Sequence, residues 1–331
     1  MGGSRYNDDD YTMRSSFRKT HAIPTFAYDY DIKTGKTKAG VHKTLNPKGV
    51  GMRESRDSAG HDKVPIAIFL DTTGSMQTVP RIIQAALPKL MGGFLNDKAS
   101  GKKYLGDKGY PDIMIGAVDD YDAMGGEGCL QVGQFESGME IDDNLTNLWI
   151  TDNGGGTYEE SYQLAAYFLA NHTVHDHWEK RKKKGYAFFI GDEHAYPILK
   201  AKEVAEIIGD KMQADVPSAK VLQHLSQRYH VFFIIPNMTN HYGDEGLYKY
   251  WVKLLGQQRV FKLDDPEKIC ELIVAAVAIC ENHISLAELD EDEMATPSMS
   301  KALGPLATGA LTTHEGSLPE IPGKAGVVVR L

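Results

Sequence analysis

VPIAIFLDTTGSM, residues 64–76, joins an apolar run to a polar turn. The run is bounded by turn residues and rich in β-branched side chains, which is typical of a strand buried on both faces at the centre of a parallel sheet. At its carboxyl end Asp71, Thr73 and Ser75 form a D-x-[ST]-x-S pattern. Gly74 permits a tight turn there. A helical pattern follows from about residue 78 to residue 95.

The polar turn therefore places one carboxylate and two hydroxyls at the mouth of the predicted sheet. Open α/β folds bind ligands at this edge, and Mg²⁺ and similar small divalent cations prefer hard oxygen ligands of this kind. The alternative is a plain strand-to-helix turn, in which the aspartate and the serine serve only as caps. The pattern by itself favours neither interpretation.

Strands alternate with helical patterns from residue 64 to residue 282. Further buried strands are predicted at 111–118, 186–194 and 230–237, and shorter ones at 130–137 and 259–265. Such alternation implies right-handed crossovers between parallel strands. We therefore predict an α/β fold with a doubly wound, mainly parallel central sheet flanked by helices.

The segments on either side of this domain differ from it in composition. Residues 1–20 are polar and are predicted to be disordered. Residues 21–63 form an extension in which TFAYDYDI, KTGK and TKAGVH are typical of a short hairpin. Residues 283–331 are acidic and then rich in Gly, Pro, Ser and Thr, which predicts a mostly disordered tail.

The composition excludes several classes of protein. Hydrophobic residues make up 42% and charged residues 24% of the 331 residues, as in soluble globular proteins. The net charge of −9 argues against a nucleic-acid binder. No apolar stretch approaches the roughly 18 to 20 residues that span a bilayer, and the N-terminus lacks a hydrophobic signal core. Since three cysteines suggest no disulfide framework, we expect a cytoplasmic protein without membrane contact.

Two other polar residues stand at strand or helix ends. Thr157 follows three glycines at the start of a predicted helix, and Asp192 ends the strand YAFFIG. Because neighbouring central strands end on one rim of a doubly wound sheet, a cation at the first turn could also meet these two residues, directly or through water. Few carboxylates and several hydroxyls would leave such an ion with an open position for an outside ligand.

DTTGSM, GGGT and GD, in this order and each at the expected strand or helix end, resemble the metal-ion-dependent adhesion site of von Willebrand factor A domains. The resemblance covers roughly residues 64–282. It implies a site for Mg²⁺ or Mn²⁺ whose ligands are Asp71, Thr73, Ser75, Thr157 and Asp192. In that family a carboxylate from a protein partner commonly fills the open position. Thr73 replaces the usual serine, and Glu193 adds a negative charge where many relatives have glycine.

Three functions follow as hypotheses. The resemblance favours a non-enzymatic module that binds an acidic partner residue within a multi-protein assembly, and similar modules of bacteria and phages often work beside AAA+ ATPases. The second hypothesis is a metal-dependent phosphohydrolase with Asp71 as the nucleophile. The third is a scaffold with a vestigial metal site. No nucleophile–base pair is apparent in the sequence, so we expect no catalytic residues.

Other clusters have simpler explanations than a site. The spacing of His172, His175 and His177 matches no recognised zinc arrangement. Asp119 and Asp120 could form an auxiliary metal site, but acidic residues are common in loops after strands. The basic run at 180–184 is typical of solvated surface.

Overall fold

The computed structural model describes residues 8–24, 26–86, 88–95, 104–152, 157–291 and 296–308. Its centre is a six-stranded sheet, whose strands β1 to β6 are Asp62–Asp71, Gly109–Val118, Leu130–Val132, Gly185–Ile190, Tyr229–Pro236 and Val260–Leu263. Their order across the sheet is β6-β5-β4-β1-β2-β3. All neighbours are parallel except β2 and β3, which are antiparallel. The predicted doubly wound, mainly parallel sheet is confirmed.

Helices cover both faces of this sheet. In chain order they are α1 Asp8–Thr20, α2 Ala27–Lys33, α3 Val79–Ala86, α4 Pro88–Leu95, α5 Tyr121–Met124, α6 Glu140–Thr146, α7 Tyr162–His172, α8 Asp176–Glu179, α9 Ala201–Ile207, α10 Ser218–Leu225, α11 Glu245–Leu255, α12 Ile269–Cys280, α13 Leu286–Glu291 and α14 Pro297–Thr308. Short strand pairs join Arg53–Ser55 to Thr173–His175, Glu159–Glu160 to His194–Ala195, and Ile198–Leu199 to Val216–Pro217. Within the described ranges, no helix has both the length and the apolar character needed to cross a bilayer.

Strand β1 lies at the centre because both of its faces are apolar. Ile66, Ile68 and Leu70 enter the core that also contains α3, α4 and α12. Ala67 and Phe69 enter the core on the other face, with α7, α10 and α11. Successive side chains of a strand point to opposite faces, so a continuous apolar run fills both cores. This burial fixes the position of Asp71, the last residue of the strand.

The N-terminal predictions are wrong in two places. Residues 8–20 form α1 rather than a disordered segment, and the predicted hairpin is replaced by α2. Long-range contacts account for the first difference, because the Arg18 guanidinium donates two hydrogen bonds to Asp142, at 2.6 and 2.7 Å. In α2 an ion pair between Asp29 and Lys33, at 3.0 Å, has helical spacing. Residues 1–7 lie outside the described residues.

The extension continues along the edge of the sheet. The Val132 N–H of β3 donates to the carbonyl of Leu45 at 2.7 Å, and the Arg53 guanidinium donates to the Val132 carbonyl at 3.2 Å. The edge strand is shorter than the predicted segment 130–137. The extension therefore pairs with backbone groups that an edge strand otherwise leaves open.

The tail prediction is wrong for residues 286–291 and 297–308, which form α13 and α14. Met299, Leu303 and Leu306 are buried in the core beside α12. Their spacing of four and three residues is helical, but it is too short a pattern to recognise within a Gly-, Pro- and Ser-rich segment. Residues 292–295 and 309–331 of the predicted tail lie outside the described residues.

Candidate metal site

The turn after β1 is closed by hydrogen bonds to Asp71. The Thr73 backbone N–H and hydroxyl both donate to Asp71 Oδ1, at 2.9 and 2.6 Å. Gly74–Met76 then form a single 3₁₀ turn. The turn thus holds Asp71 and the Thr73 hydroxyl in one cluster, as the D-x-[ST]-x-S pattern predicts.

This cluster extends across the rim to the next strand. The Thr73 and Ser75 hydroxyl oxygens lie 3.0 Å apart, and the Ser75 hydroxyl donates to Asp192 Oδ1 at 2.7 Å. Asp192 follows β4, which pairs with β1, and its Oδ2 accepts from the backbone N–H of His241 at 3.0 Å. Asp71, Thr73, Ser75 and Asp192, hereafter the rim row, therefore form a continuous chain of polar side chains.

Thr157 makes its hydrogen bonds elsewhere. Its hydroxyl donates to Asp120 Oδ2 at 3.1 Å and to the carbonyl of Glu159 at 3.2 Å. Asp120 also accepts from the Tyr196 hydroxyl at 2.6 Å. These bonds tie Thr157 to the loop after β2 rather than to the rim row, and its role as a ligand stays a prediction. The three glycines before it lie outside the described residues.

Within the rim row, the surroundings of Asp71 disfavour its ionised form. Burial, and then the nearby Asp192 carboxylate, raise the pKa of Asp71 well above its usual range, although hydrogen bonds from Thr73 and Tyr162 act in the opposite direction. Desolvation and a like charge both disfavour the ionised form. A divalent cation would offset both effects, and two carboxylates with two hydroxyls are suitable ligands for Mg²⁺ or Mn²⁺.

Two glutamates that the sequence did not identify as ligands lie beside Asp71. One carboxylate oxygen from each of Asp71, Glu160 and Glu193 lies within 4.8 Å of the other two. The pairing of Glu159–Glu160 with His194–Ala195 brings the two glutamates together. Burial is the main cause of the raised pKa of Glu160 and of Glu193. For Glu160 the only sequence signal is its place in the acidic pair after GGGT.

Tyr162 completes the surroundings of Asp71 and was also missed. Its hydroxyl donates to Asp71 Oδ2 at 2.6 Å. Gly191 makes room for this contact, since a Cβ at that position would lie 1.8 Å from the Tyr162 hydroxyl oxygen. The glycine of the GD motif is thus required by close packing, and the first residue of α7 is tied to the end of β1.

Asp119 and Asp120 have hydrogen-bond partners within the chain. Asp119 Oδ1 accepts from the Asp120 N–H at 2.6 Å, and the Thr151 hydroxyl donates to Asp119 Oδ2. Burial raises the pKa of Asp119 to about 7. Asp120 caps α5 by accepting from the Asp122 N–H at 2.8 Å. Both carboxylates therefore organise the loop after β2.

The histidine cluster and the basic run also have separate partners. His172 pairs with Asp210 at 2.7 Å, whereas His177 lies 3.4 Å from Glu281. His175 Nδ1 accepts from a backbone N–H of α8 at 3.1 Å. In the basic run, Lys180, Arg181 and Lys183 form ion pairs with Asp176, Asp57 and Glu281. His172, His175 and His177 thus contact three different partners.

No family model and no curated protein matches the sequence. Solved structures that match include proximal thread matrix protein 1 from the mussel byssus, with 10% identity and a TM-score of 0.40 over 66% of this chain and 48% of that chain. Another structure of that protein is described as having a zinc-occupied MIDAS motif, at 11% identity and a TM-score of 0.40. A third match is the pilus adhesin SpaC from Lactobacillus rhamnosus GG, with 10% identity and a TM-score of 0.44 over 73% of this chain and 34% of that chain.

The human COPII-coat protein Sec24c also matches, with 10% identity and a TM-score of 0.33 over 67% of this chain and 32% of that chain. This chain thus aligns with less than half the length of each of these proteins. At such identities and scores the matches assign neither a family nor a function. The interpretation of the site therefore rests on its own residues, above all on the rim row and the carboxylates beside it.

Proposed function

We propose that this protein is a non-enzymatic interaction module, which captures an acidic side chain of a protein partner through a divalent cation. The rim row would hold the cation, Mg²⁺ or Mn²⁺, and Thr157 would contribute a fifth oxygen directly or through water. The observation that carries the proposal is the continuous hydrogen-bonded chain from Asp71 to Asp192, because it joins the ends of two adjacent strands.

The composition of the rim row suits a site that accepts an outside carboxylate. Two of its four side chains are neutral hydroxyls, so its formal charge is only that of Asp71 and Asp192. The two carboxylates would balance the charge of a divalent cation bound there. Its coordination would remain incomplete, since these ions take six or more oxygen ligands. A carboxylate from a partner could then complete the coordination.

The surroundings of Asp71 favour binding over phosphohydrolase chemistry. Asp71 is fully buried, and both of its carboxylate oxygens accept hydrogen bonds, one from Thr73 and the other from Tyr162. A nucleophilic carboxylate must approach its substrate directly. Asp71 therefore fits a role as a positioned ligand better than a role as a nucleophile.

Metal binding tests the rim row directly. Mn²⁺ binding to the full chain, followed by electron paramagnetic resonance, should weaken at least tenfold in Ser75→Ala and in Asp192→Asn. Asp192→Asn removes the charge while keeping the shape. Ser226→Ala is the matched control, because its hydroxyl donates only to a helix carbonyl, at 2.8 Å. Equal Mn²⁺ affinity in the parent chain and all three variants would contradict the proposal and favour the scaffold hypothesis.

A capture experiment tests the partner. The proposal requires a partner with an exposed Asp or Glu, whose retention on the immobilised full chain is lost with a chelator and restored by Mg²⁺ or Mn²⁺. The Asp192→Asn variant should no longer retain this partner, whereas the Ser226→Ala variant should still retain it. The comparisons give no support for an AAA+ ATPase as this partner, and the cytoplasmic setting and bacterial or phage origin remain predictions.

A further inference from the structure

A buried arginine without a counter-ion lies at the end of the sheet opposite the rim row. Arg259, the residue before β6, is only 8% exposed, and its Nη1 is buried with no hydrogen-bond partner. Burial lowers its pKa, and the group that acts in the opposite direction is the Cys280 thiol rather than a carboxylate of the described residues. By contrast, Arg18, Arg56 and Arg181 all pair with aspartates. A buried charge is costly unless it is paired.

Two more basic side chains lie on the same face of the sheet. His230 pairs with Tyr186 in the register of β4 and β5, and their rings lie 5.4 Å apart. Lys184 lies two residues before Tyr186, and therefore on the same face of the sheet as that ring. Arg259 reaches this face too, because its Cζ lies 5.9 Å from the centroid of the Phe232 ring, and Phe232 is two residues after His230. Lys184, His230 and Arg259 are hereafter called the basic cluster.

The basic cluster is positively charged and has unpaired donors. Burial, and then the charges of Arg259 and Lys184, lower the pKa of His230 to about 3. Burial and Arg259 also lower the pKa of Lys184. Lys184 Nζ donates to the Ser226 carbonyl at 2.6 Å, which uses one of its three protons. His230 Nδ1, like Arg259 Nη1, is buried without a hydrogen-bond partner.

One acidic residue, Glu281, acts on His230 but pairs with other side chains. Its carboxylate accepts from Lys183 Nζ at 2.5 Å and from the Tyr186 hydroxyl at 2.8 Å. It also lies 3.4 Å from His177 Nε2. Although burial acts in the opposite direction, these contacts lower the pKa of Glu281 to about 2. Glu281 therefore does not serve as the counter-ion of Arg259.

We propose that the basic cluster binds the phosphate group of a small molecule. A guanidinium can donate to two phosphate oxygens at once, and an ammonium adds a point charge. Phosphate suits this position better than a carboxylate, because its oxygens point in several directions and the three donors belong to three neighbouring strands or their ends. Lys184 and His230 are half-buried, so a small ligand can reach them. This site does not depend on the proposed function.

Inorganic phosphate is the probe, titrated into the full chain at constant ionic strength and followed by isothermal titration calorimetry. A chelator is present, so that no cation at the rim row contributes. The parent chain should bind phosphate, and Arg259→Gln and Lys184→Gln should each lower the affinity at least tenfold. Lys182→Gln is the matched control, because Lys182 belongs to the same basic run but is exposed and lies outside the basic cluster.

Two results would overturn the site: no phosphate binding by the parent chain, or equal affinity in the parent chain and Arg259→Gln. An equal loss in Lys182→Gln would also overturn it, since phosphate would then be attracted by the basic run as a whole. Glycerol phosphate, titrated in the same way, distinguishes the sources of the ligand. Tighter binding than inorganic phosphate identifies a phosphate ester, and weaker binding identifies the free ion. If Arg259→Gln fails to fold, Lys184→Gln and His230→Gln provide the same comparison.

Discussion

Among single residues, Tyr162 connects the acidic centre to the core. Its hydroxyl reaches Asp71, while its ring packs edge-on against Phe233 and Trp251, with centroids 5.3 and 5.6 Å away. Burial, and then the charge of Asp71, raise the pKa of Tyr162 well above its usual range. The phenol therefore remains a hydrogen-bond donor, and one residue serves both packing and the orientation of Asp71.

Replacing Tyr162 with phenylalanine should separate these two roles. The ring would remain, but the buried Asp71 Oδ2 would lose its hydrogen-bond donor, so the free energy of unfolding should fall by about 1 to 3 kcal/mol. Urea denaturation with a chelator present measures this change. Tyr158→Phe is the control, because Tyr158 is 66% exposed. Equal losses in the two variants would contradict the role assigned to the Tyr162 hydroxyl.

Glu136 gives a pH dependence that is independent of the metal site. Burial, followed by the charges of Glu140 and Asp112, raises its pKa from 4.5 to about 7. Between these values the folded chain binds a proton that the unfolded chain releases. The stabilising contribution is therefore complete below pH 4.5 and is lost as the pH rises through 7.

The variant Glu136→Gln should remove this contribution to the pH dependence. Its melting temperature should fall less than that of the parent protein between pH 5 and pH 8, as measured by thermal unfolding in matched buffers. Glu127→Gln changes an exposed glutamate and serves as the control. A parent-like fall in Glu136→Gln would show that Glu136 does not titrate in this range.

At the scale of elements, helix α14 is part of the core although its composition is that of a tail. It contacts α12, β6 and the 3₁₀ turn Gln257–Arg259. Within α14, Leu303 is fully buried, whereas Lys301, two residues earlier, is exposed. The helix covers apolar surface on the face of the sheet opposite α7 and thereby completes the layer begun by α12.

The substitution Leu303→Ala should lower the free energy of unfolding by about 2 to 5 kcal/mol, as for other buried leucines, because it leaves a cavity. Chemical denaturation of the full chain measures this loss. Lys301→Ala, on the exposed side of the same helix, should change the stability by less than about 0.5 kcal/mol. A loss below 1 kcal/mol in Leu303→Ala would indicate that α14 does not pack on the core.

At the scale of the whole molecule, the N-terminal extension protects one edge of the sheet. The Leu45 carbonyl and the Arg53 side chain engage the outer edge of β3, and Phe26 and Leu45 are buried in the core. An uncovered strand edge is a template for pairing with another chain. The extension thus contributes both core packing and protection against association.

A chain that begins at residue 51 should therefore self-associate in a concentration-dependent manner, which sedimentation velocity would detect. A chain that begins at residue 25 keeps Leu45 and should sediment as the full chain does. Circular dichroism first establishes that both truncated chains are folded. Identical sedimentation of the two would show that the extension does not protect β3.

Much of the fold could be predicted because strand burial depends on local composition. The run before Asp71 is apolar on both faces, and the same pattern recurs in β2, β4 and β5. Of the helices that the sequence did not predict, α1 and α14 are stabilised by distant contacts. Arg18 of α1, for example, bonds to Asp142, which lies 124 residues away in the sequence. No local pattern in a polar segment contains that information.

For this protein the sequence alone determined the mainly parallel sheet and the placement of Asp71 and Asp192 at strand ends, since both follow from apolar runs that end in an acidic residue. Only the tertiary structure decided which side chains meet there. In the folded chain the Thr157 hydroxyl bonds to Asp120. The carboxylates of Glu160 and Glu193 and the hydroxyl of Tyr162 lie beside Asp71. The physical reason is that the burial of a strand follows from its own apolar composition. The site, by contrast, forms where several loops meet, and their relative positions depend on all the connections between the strands.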